Sequence, residues 1–186
     1  FMDRAPRLSF SAHGDPPKAV VLLLHGGTPD SFDSVRAYDP AVLRVIPFGR
    51  SVLRAGGGHI ALASLRYAVR GWNGERESPL VDARWALDRI VERFGHLPIG
   101  LVGHSMGGRV ALRGAAHGES LAGAEGGGSD GKTESWGVRR VAAVAPWRPV
   151  GEPIPLVGER AWLVAHATAD RVPDAAKTPQ HDEELA

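Results

Sequence analysis

The longest unbroken apolar run in the chain, residues 19–24 (Ala-Val-Val-Leu-Leu-Leu), stops at once in His25-Gly26-Gly27-Thr28-Pro29. A continuous apolar run bounded by turn formers predicts a strand buried on both faces, as in a parallel sheet. Similar runs at 59–65, 99–102, 138–145 and 161–165 each end in a polar or glycine-containing turn. Helical periodicity lies between them. Ser78 before Pro79 reads as an N-cap with a first-turn proline. Ala83, Leu87, Ile90, Val91 and Phe94 then recur at helical spacing until Gly95 stops the helix. Asp39-Pro40 predicts another helix through Val45, with Pro47 either kinking it or opening a second one that ends at Gly56. A third runs from Ser105 to about His117, with Ala111, Leu112, Ala115 and Ala116 on its packing face. Alternating strands and helices predict a doubly wound, mostly parallel α/β sheet with right-handed crossovers.

Three stretches depart from this alternation. Residues 118–137 hold Gly123, Gly126, Gly127, Gly128, Gly131 and Gly137 among small and charged residues, which predicts a flexible surface loop. Residues 146–155 contain four prolines and predict a short irregular excursion. The polar tail 175–186 has little with which to order itself. No internal repeat is visible, and 1–186 reads as one domain.

Composition narrows the function classes. At 186 residues, 43% hydrophobic and 23% charged, the chain has the make-up of an ordinary globular domain. Its formal charge of +1 supplies no basic field for nucleic acid or an anionic membrane. The 22 basic residues include only three lysines (Lys18, Lys132, Lys177), but the arginines are scattered rather than clustered. Without cysteine there is no disulfide framework, thiolate metal site or thiol nucleophile. The N-terminus lacks a signal-peptide core and no run of about 18 apolar residues occurs, so a cytoplasmic protein is expected. No metal ligands stand at productive spacing, and no cofactor is implied.

The strongest chemical signal is Gly103-His104-Ser105-Met106-Gly107, between an apolar strand and an apolar helix. Gly-x-Ser-x-Gly in that context places serine on a sharp strand-to-helix turn, its hydroxyl exposed above the sheet. The flanking glycines are required where a Cβ would strike the neighbouring strand or helix. The helix beginning at the serine directs free N–H groups and a dipole at a developing oxyanion. Gly126-Gly127-Gly128-Ser129-Asp130-Gly131-Lys132-Thr133 also matches a phosphate-binding loop. It has no buried strand before it and only Glu134-Ser135-Trp136 before Gly137, so nucleotide binding is a remote alternative.

The order strand, His25-Gly26-Gly27, helix, strand, helix, strand, Gly103-His104-Ser105-Met106-Gly107, helix, strand, strand, Asp170 resembles the α/β-hydrolase family over about residues 19–171. Within it the small esterase and lysophospholipase-like branch, with a minimal cap, is the most similar. The resemblance implies Ser105 as nucleophile, Gly27 and Met106 as the oxyanion-hole N–H donors, and Asp170 as the triad acid. The same Asp could instead close an Asx turn. The family's base is a histidine a few dozen residues beyond the acid, after a further helix and strand. Sixteen residues follow Asp170, and the one histidine among them is His181, so the fold is expected to be truncated at its C-terminus. His181 is the candidate base. Histidines at strand exits, His25 and His166, more often brace loops, and His104 is elbow filler.

Two classes therefore stand side by side. One is a serine esterase-like hydrolase transferring the acyl group of a small carboxylic ester to water. The other is a hydrolase-fold protein impaired for want of the triad histidine. Trp72, Trp147 and Phe32 either line an open cleft or pack conventionally. The expected partner is a small-molecule ester rather than nucleic acid or a membrane. A homo-oligomer through an exposed edge at 161–165 also remains open.

Overall fold

The computed structural model describes residues 4–11, 16–120, 136–149, 151–152 and 161–165, and for 116–120 the backbone only. The strands are β1 (Arg7–Ser11), β2 (Ala19–Leu24), β3 (Ile60–Arg66), β4 (Ile99–His104), β5 (Val138–Val144) and β6 (Ala161–Ala165). They form one six-stranded sheet in the order β1-β3-β2-β4-β5-β6. β1 pairs with β3 antiparallel and every other pairing is parallel. The alternation Arg-Leu-Ser-Phe-Ser in β1 is that of a half-exposed edge strand, which a search for continuous apolar runs passes over. In the centre, Leu24 lies opposite both Leu65 and Gly103, so the carboxyl ends of β2, β3 and β4 finish level. Open parallel sheets place their ligand crevices at that edge.

Helix α1 (Pro40–Ala55) lies against one face of the sheet, and α2 (Ser78–Phe94) and α3 (Met106–Ser120) lie against the other. Because successive residues of a strand point to opposite faces, Leu23 and Leu62 meet Val45 of α1. Leu22, Leu24, Ala61 and Ala63 join the larger core under α2 and α3. α1 is one helix that passes through Pro47. Pro47 and Leu43 are both exposed, so the carbonyl that loses its amide partner is left to water. Gly49 lets α1 approach closely, since a Cβ there would stand 2.8 Å from Leu62 Cδ2.

Several boundaries differ from the sequence expectation. Ser78 is the first residue of α2 and not its cap. The cap position belongs to Glu77, held at φ +45°, whose carbonyl accepts the Leu80 and Val81 amides. Ser78 Oγ instead accepts from Asn73 Nδ2 at 3.2 Å. Asp39 precedes α1, but its carboxylate is drawn away from the helix by the Arg70 guanidinium at 3.0 and 3.1 Å. α3 continues to Ser120, three residues into the predicted loop 118–137, and 121–135 lie outside the described residues. Gly95 ends α2 at φ +70°, as its position implied. Residues 146–149 and 151–152 carry no regular element, and the tail 175–186 lies outside the described residues. Among the described residues no helix is long and apolar enough to cross a membrane. Among the described strands β6 is the outermost on its side, with Trp162 and Leu163 exposed.

Candidate functional site

Ser105 stands between β4 and α3 with φ +55°, a left-handed conformation that costs a non-glycine residue energy and is held by its surroundings. Its amide donates to Val144 O at 2.9 Å. Its carbonyl accepts three amides, from Gly108 (2.9 Å), Arg109 (3.2 Å) and Trp147 (3.2 Å). The flanking glycines are sterically necessary. A Cβ on Gly103 would lie 2.1 Å from Gly107 O, and one on Gly107 would lie 2.3 Å from Leu24 O. α3 thus starts in direct backbone contact with the ends of β2 and β4, and the serine side chain is left partly exposed above them.

The turn after β2 lies against this serine. A Cβ on Gly26 would sit 3.4 Å from Ser105 Cβ, and one on Gly27 would sit 2.4 Å from Met106 Cε and 2.3 Å from Arg70 O. Gly27 and Met106, the two residues the resemblance implicates in an oxyanion hole, are therefore packed together beside Ser105. Neither N–H donates to a backbone acceptor among the described residues. Met106 is the first residue of α3, so its amide belongs to the helix's unsatisfied N-terminal turn.

His25 braces that turn from beneath. It is buried, its Nε2 accepts the Tyr67 amide at 3.3 Å, and Nδ1 lies 2.6 Å from Gly26 O. The only tautomer that satisfies both contacts carries its proton on Nδ1 and donates it to Gly26 O. Burial holds the imidazole neutral, lowering its pKa to about 4. His25 is thus structural, and so is His104, which stacks on Phe48 at 6.3 Å between centroids.

Outside this turn the segment 28–34 is tied to the β3–α2 connection. Thr28 donates to Arg70 O, and Trp72 and Asn73 donate to Thr28 O and Pro29 O. Asn73, buried at φ +63°, is the fastener. Its Oδ1 accepts the Ser31 amide at 2.9 Å, and its Nδ2 reaches the Ser31 and Gly71 carbonyls, both at 3.2 Å. Asn73-Gly74 could have been read in the sequence as a turn needing positive φ, but its reach across to Ser31 could not.

A cleft of about 350 Å³ is lined by residues that include Pro29, Asp30, Trp72, Arg109, Trp147 and Pro149. The Arg109 guanidinium carbon lies 3.6 Å from the Trp72 ring centroid and 5.2 Å from that of Trp147. It pairs with Glu152, Nε–Oε2 and Nη2–Oε1 both measuring 2.8 Å. Arg113 bridges Glu152 at 2.9 Å and Glu77 at 2.6 Å. Trp72 and Trp147 line this cleft, in keeping with one of the two sequence alternatives. Phe32 is half exposed under Arg76 and takes no part. Nothing in the sequence pattern singled out Arg109, Glu152 or Asn73. A second concavity, about 530 Å³, lies between β1 and α2 against Phe10, Trp85 and Arg93, and no nucleophile lines it.

Asp170, His181 and His166 lie outside the described residues, as does the phosphate-loop match at 126–133. Among the described residues no cluster of His, Cys, Asp or Glu is arranged to hold a metal ion.

Comparison with known proteins accords with this geometry. Residues 21–185 match the model of the alpha/beta hydrolase family. No curated protein matches the sequence. Among solved structures, a serine hydrolase without a lid from Xanthomonas campestris is similar at TM-score 0.59 and 16% identity, over 92% of this chain and 70% of that one. An alpha/beta hydrolase of unknown function from Agrobacterium tumefaciens gives TM-score 0.58 at 14% identity, over 91% and 69%. A thermostable carboxyl esterase from Bacillus coagulans gives 0.52 at 15% identity, over 78% of this chain and 41% of that one. At such identities the structural likeness speaks for the fold, and the match over 21–185 carries the assignment: the chain belongs to the alpha/beta hydrolase family.

Proposed function

We propose that the protein is a serine hydrolase that transfers the acyl group of a small carboxylic ester to water through Ser105. The observation that carries this reading is the strained Ser105, at φ +55°, packed beside Gly27 and Met106, whose amides no backbone acceptor among the described residues uses. Ser105 Oγ attacks the ester carbon while its proton passes to a base, and the carbonyl oxygen becomes an oxyanion. Gly27 and Met106 N–H stabilise that oxyanion, and donors already oriented need no reorganisation as the charge forms. Collapse expels the alcohol, which takes the proton back, and water then repeats the sequence on the acyl-enzyme to release the acid. The candidate base is His181, the one histidine after Asp170, and the family resemblance implies Asp170 as the carboxylate that orients it.

Fluorophosphonate labelling and p-nitrophenyl acetate hydrolysis test the reading. Labelling and turnover are both expected to disappear in Ser105→Ala, and undiminished labelling of that variant would place the nucleophile elsewhere. His181→Ala separates the competent enzyme from the impaired one. A loss of about a thousandfold in kcat/KM makes His181 the base. A change under about tenfold, 1.4 kcal/mol or less, means the chain works without it and the triad is incomplete.

A further inference from the structure

We propose that Asn73 is a positioning residue of this hydrolase, whose side chain holds the turn 28–31 against residues 70–73 and thereby keeps the Gly27 amide aimed at the oxyanion. The inference rests on the serine-hydrolase reading above and adds to it a residue remote from the nucleophile in sequence. Gly27 cannot aim itself. It has no side chain, and a Cβ there would stand 2.3 Å from Arg70 O and 2.4 Å from Met106 Cε. From beneath, His25 holds the Gly26 carbonyl, which belongs to the same peptide unit as the Gly27 N–H. Beyond Gly27 the chain runs out over the surface. Thr28, Pro29 and Asp30 are exposed, and none of residues 27–31 belongs to either apolar cluster. A segment with so little apolar packing takes its conformation from its hydrogen bonds.

The segment opposite is anchored. Gly71, Trp72 and Asn73 are buried, Trp72 within the larger core. Main-chain bonds join the two segments: Thr28 donates to Arg70 O at 3.0 Å, Trp72 to Thr28 O, Asn73 to Pro29 O and Gly71 to Ser31 O, the last three at 2.9 Å. The Asn73 side chain closes the far end. Its Oδ1 accepts the Ser31 amide at 2.9 Å and its Nδ2 reaches the Ser31 carbonyl at 3.2 Å, so one buried side chain grips both backbone groups of Ser31. Nδ2 also reaches Gly71 O and Ser78 Oγ, which tie it to the start of α2. The backbone of Asn73 points the same way. At φ +63° a glycine would sit without strain, whereas asparagine adopts the conformation at a cost. The turn alone asks only for glycine; the amide is what reaches Ser31. Gly27 and Thr28 are thus spanned between two fixed points, the Gly26 carbonyl on His25 and Ser31 on Asn73. Oxyanion donors work because they are oriented before the charge develops, so slack at one end lowers the rate rather than the affinity for substrate.

The test is Asn73→Gly, which keeps the left-handed backbone and removes the amide. On p-nitrophenyl acetate kcat is expected to fall at least about tenfold while KM stays within about threefold. Deleting a donor outright costs about 10²–10³, and a donor left loose costs less. The affinity for a trifluoromethyl ketone, whose hemiketal on Ser105 carries the same oxyanion, is expected to fall by a similar factor. Lost stability alone does not move that affinity in a folded variant. Ser78→Ala removes only the contact toward α2 and is expected to keep kcat within about twofold. Unchanged kcat and ketone affinity in a folded Asn73→Gly protein would make Asn73 merely structural and overturn the inference. An equal loss in Ser78→Ala would place the effect at the start of α2 and also overturn it. If Asn73→Gly does not fold, amide exchange in the unmodified protein decides. The Thr28 and Ser31 amides are expected to exchange at a common rate, and a Ser31 amide that exchanges much faster than Thr28 would overturn the inference. If the unmodified protein neither labels at Ser105 nor hydrolyses acetate, the serine-hydrolase reading itself fails.

Discussion

His25 lies beneath the turn that carries Gly26 and Gly27, and its two ring nitrogens serve opposite roles. Nδ1–H supports the Gly26 carbonyl and Nε2 receives the Tyr67 amide. Burial denies a protonated ring its hydration, which is why the pKa falls to about 4. The consequence for stability has a definite sign. An unfolded chain binds a proton here below about pH 6.5 and the folded protein only near pH 4. As pH falls through that interval the unfolded state gains, and folding stability drops by about 3 kcal/mol if the whole shift is realised. Thermal unfolding of the protein and of His25→Asn between pH 7 and pH 4.5 should show the steeper acid loss in the unmodified protein. Asp82, whose pKa burial raises, contributes in the opposite sense and is common to both proteins. Parallel curves would mean that the imidazole does not resist protonation.

At the scale of elements, α2 shows how a helical pattern separates essential from dispensable positions. Leu80, Ala83, Ala86, Leu87 and Ile90 are buried against the sheet, whereas Val81 is 55% exposed. Leu87→Ala leaves a cavity in the larger core and should cost about 2–5 kcal/mol in urea unfolding. Val81→Ala should remain within about 0.5 kcal/mol. Equal effects would mean that α2 is rotated from this orientation. The periodicity of Ala83, Leu87, Ile90, Val91 and Phe94 was legible because burial follows the 3.6-residue repeat. The start of α2 was not legible. Ser78 and Pro79 form a good start signal, but Asn73 claims the serine hydroxyl and Glu77 takes the cap position. Similarly, Pro47 could not be judged from sequence alone. Its effect depends on whether the orphaned carbonyl faces water or protein, which only packing decides.

On the scale of the whole molecule, the sheet separates two apolar clusters that share no side chains. Leu62→Ala under α1 and Ile90→Ala under α2 should therefore be additive in unfolding free energy to within about 0.5 kcal/mol. Coupling of more than about 1 kcal/mol would mean that strain crosses the sheet. β1 adds an antiparallel edge to an otherwise parallel sheet, a connection that alternation in five residues only hints at.

Local chemistry and pattern were enough to determine the parallel strands, the presence of α2 and α3 and the turn at Ser105, and left open only whether α1 passes through Pro47. Each of these depends on what neighbours along the chain can do: runs that bury both faces, repeats that bury one, and glycines where a turn permits no Cβ. The packing of Gly27 on Met106, the neutral His25 under them and the Asn73 fastener required the ends of β2, β3 and β4 to come level. Those ends are brought together by register and not by sequence spacing. The Arg109 cluster is the furthest from sequence reach. Its Trp72, Trp147 and Glu152 partners lie 37, 38 and 43 residues away along the chain. A guanidinium stacked between two indoles and forked onto a carboxylate exists only once two separate connections, β3–α2 and the segment after β5, have been folded against one helix.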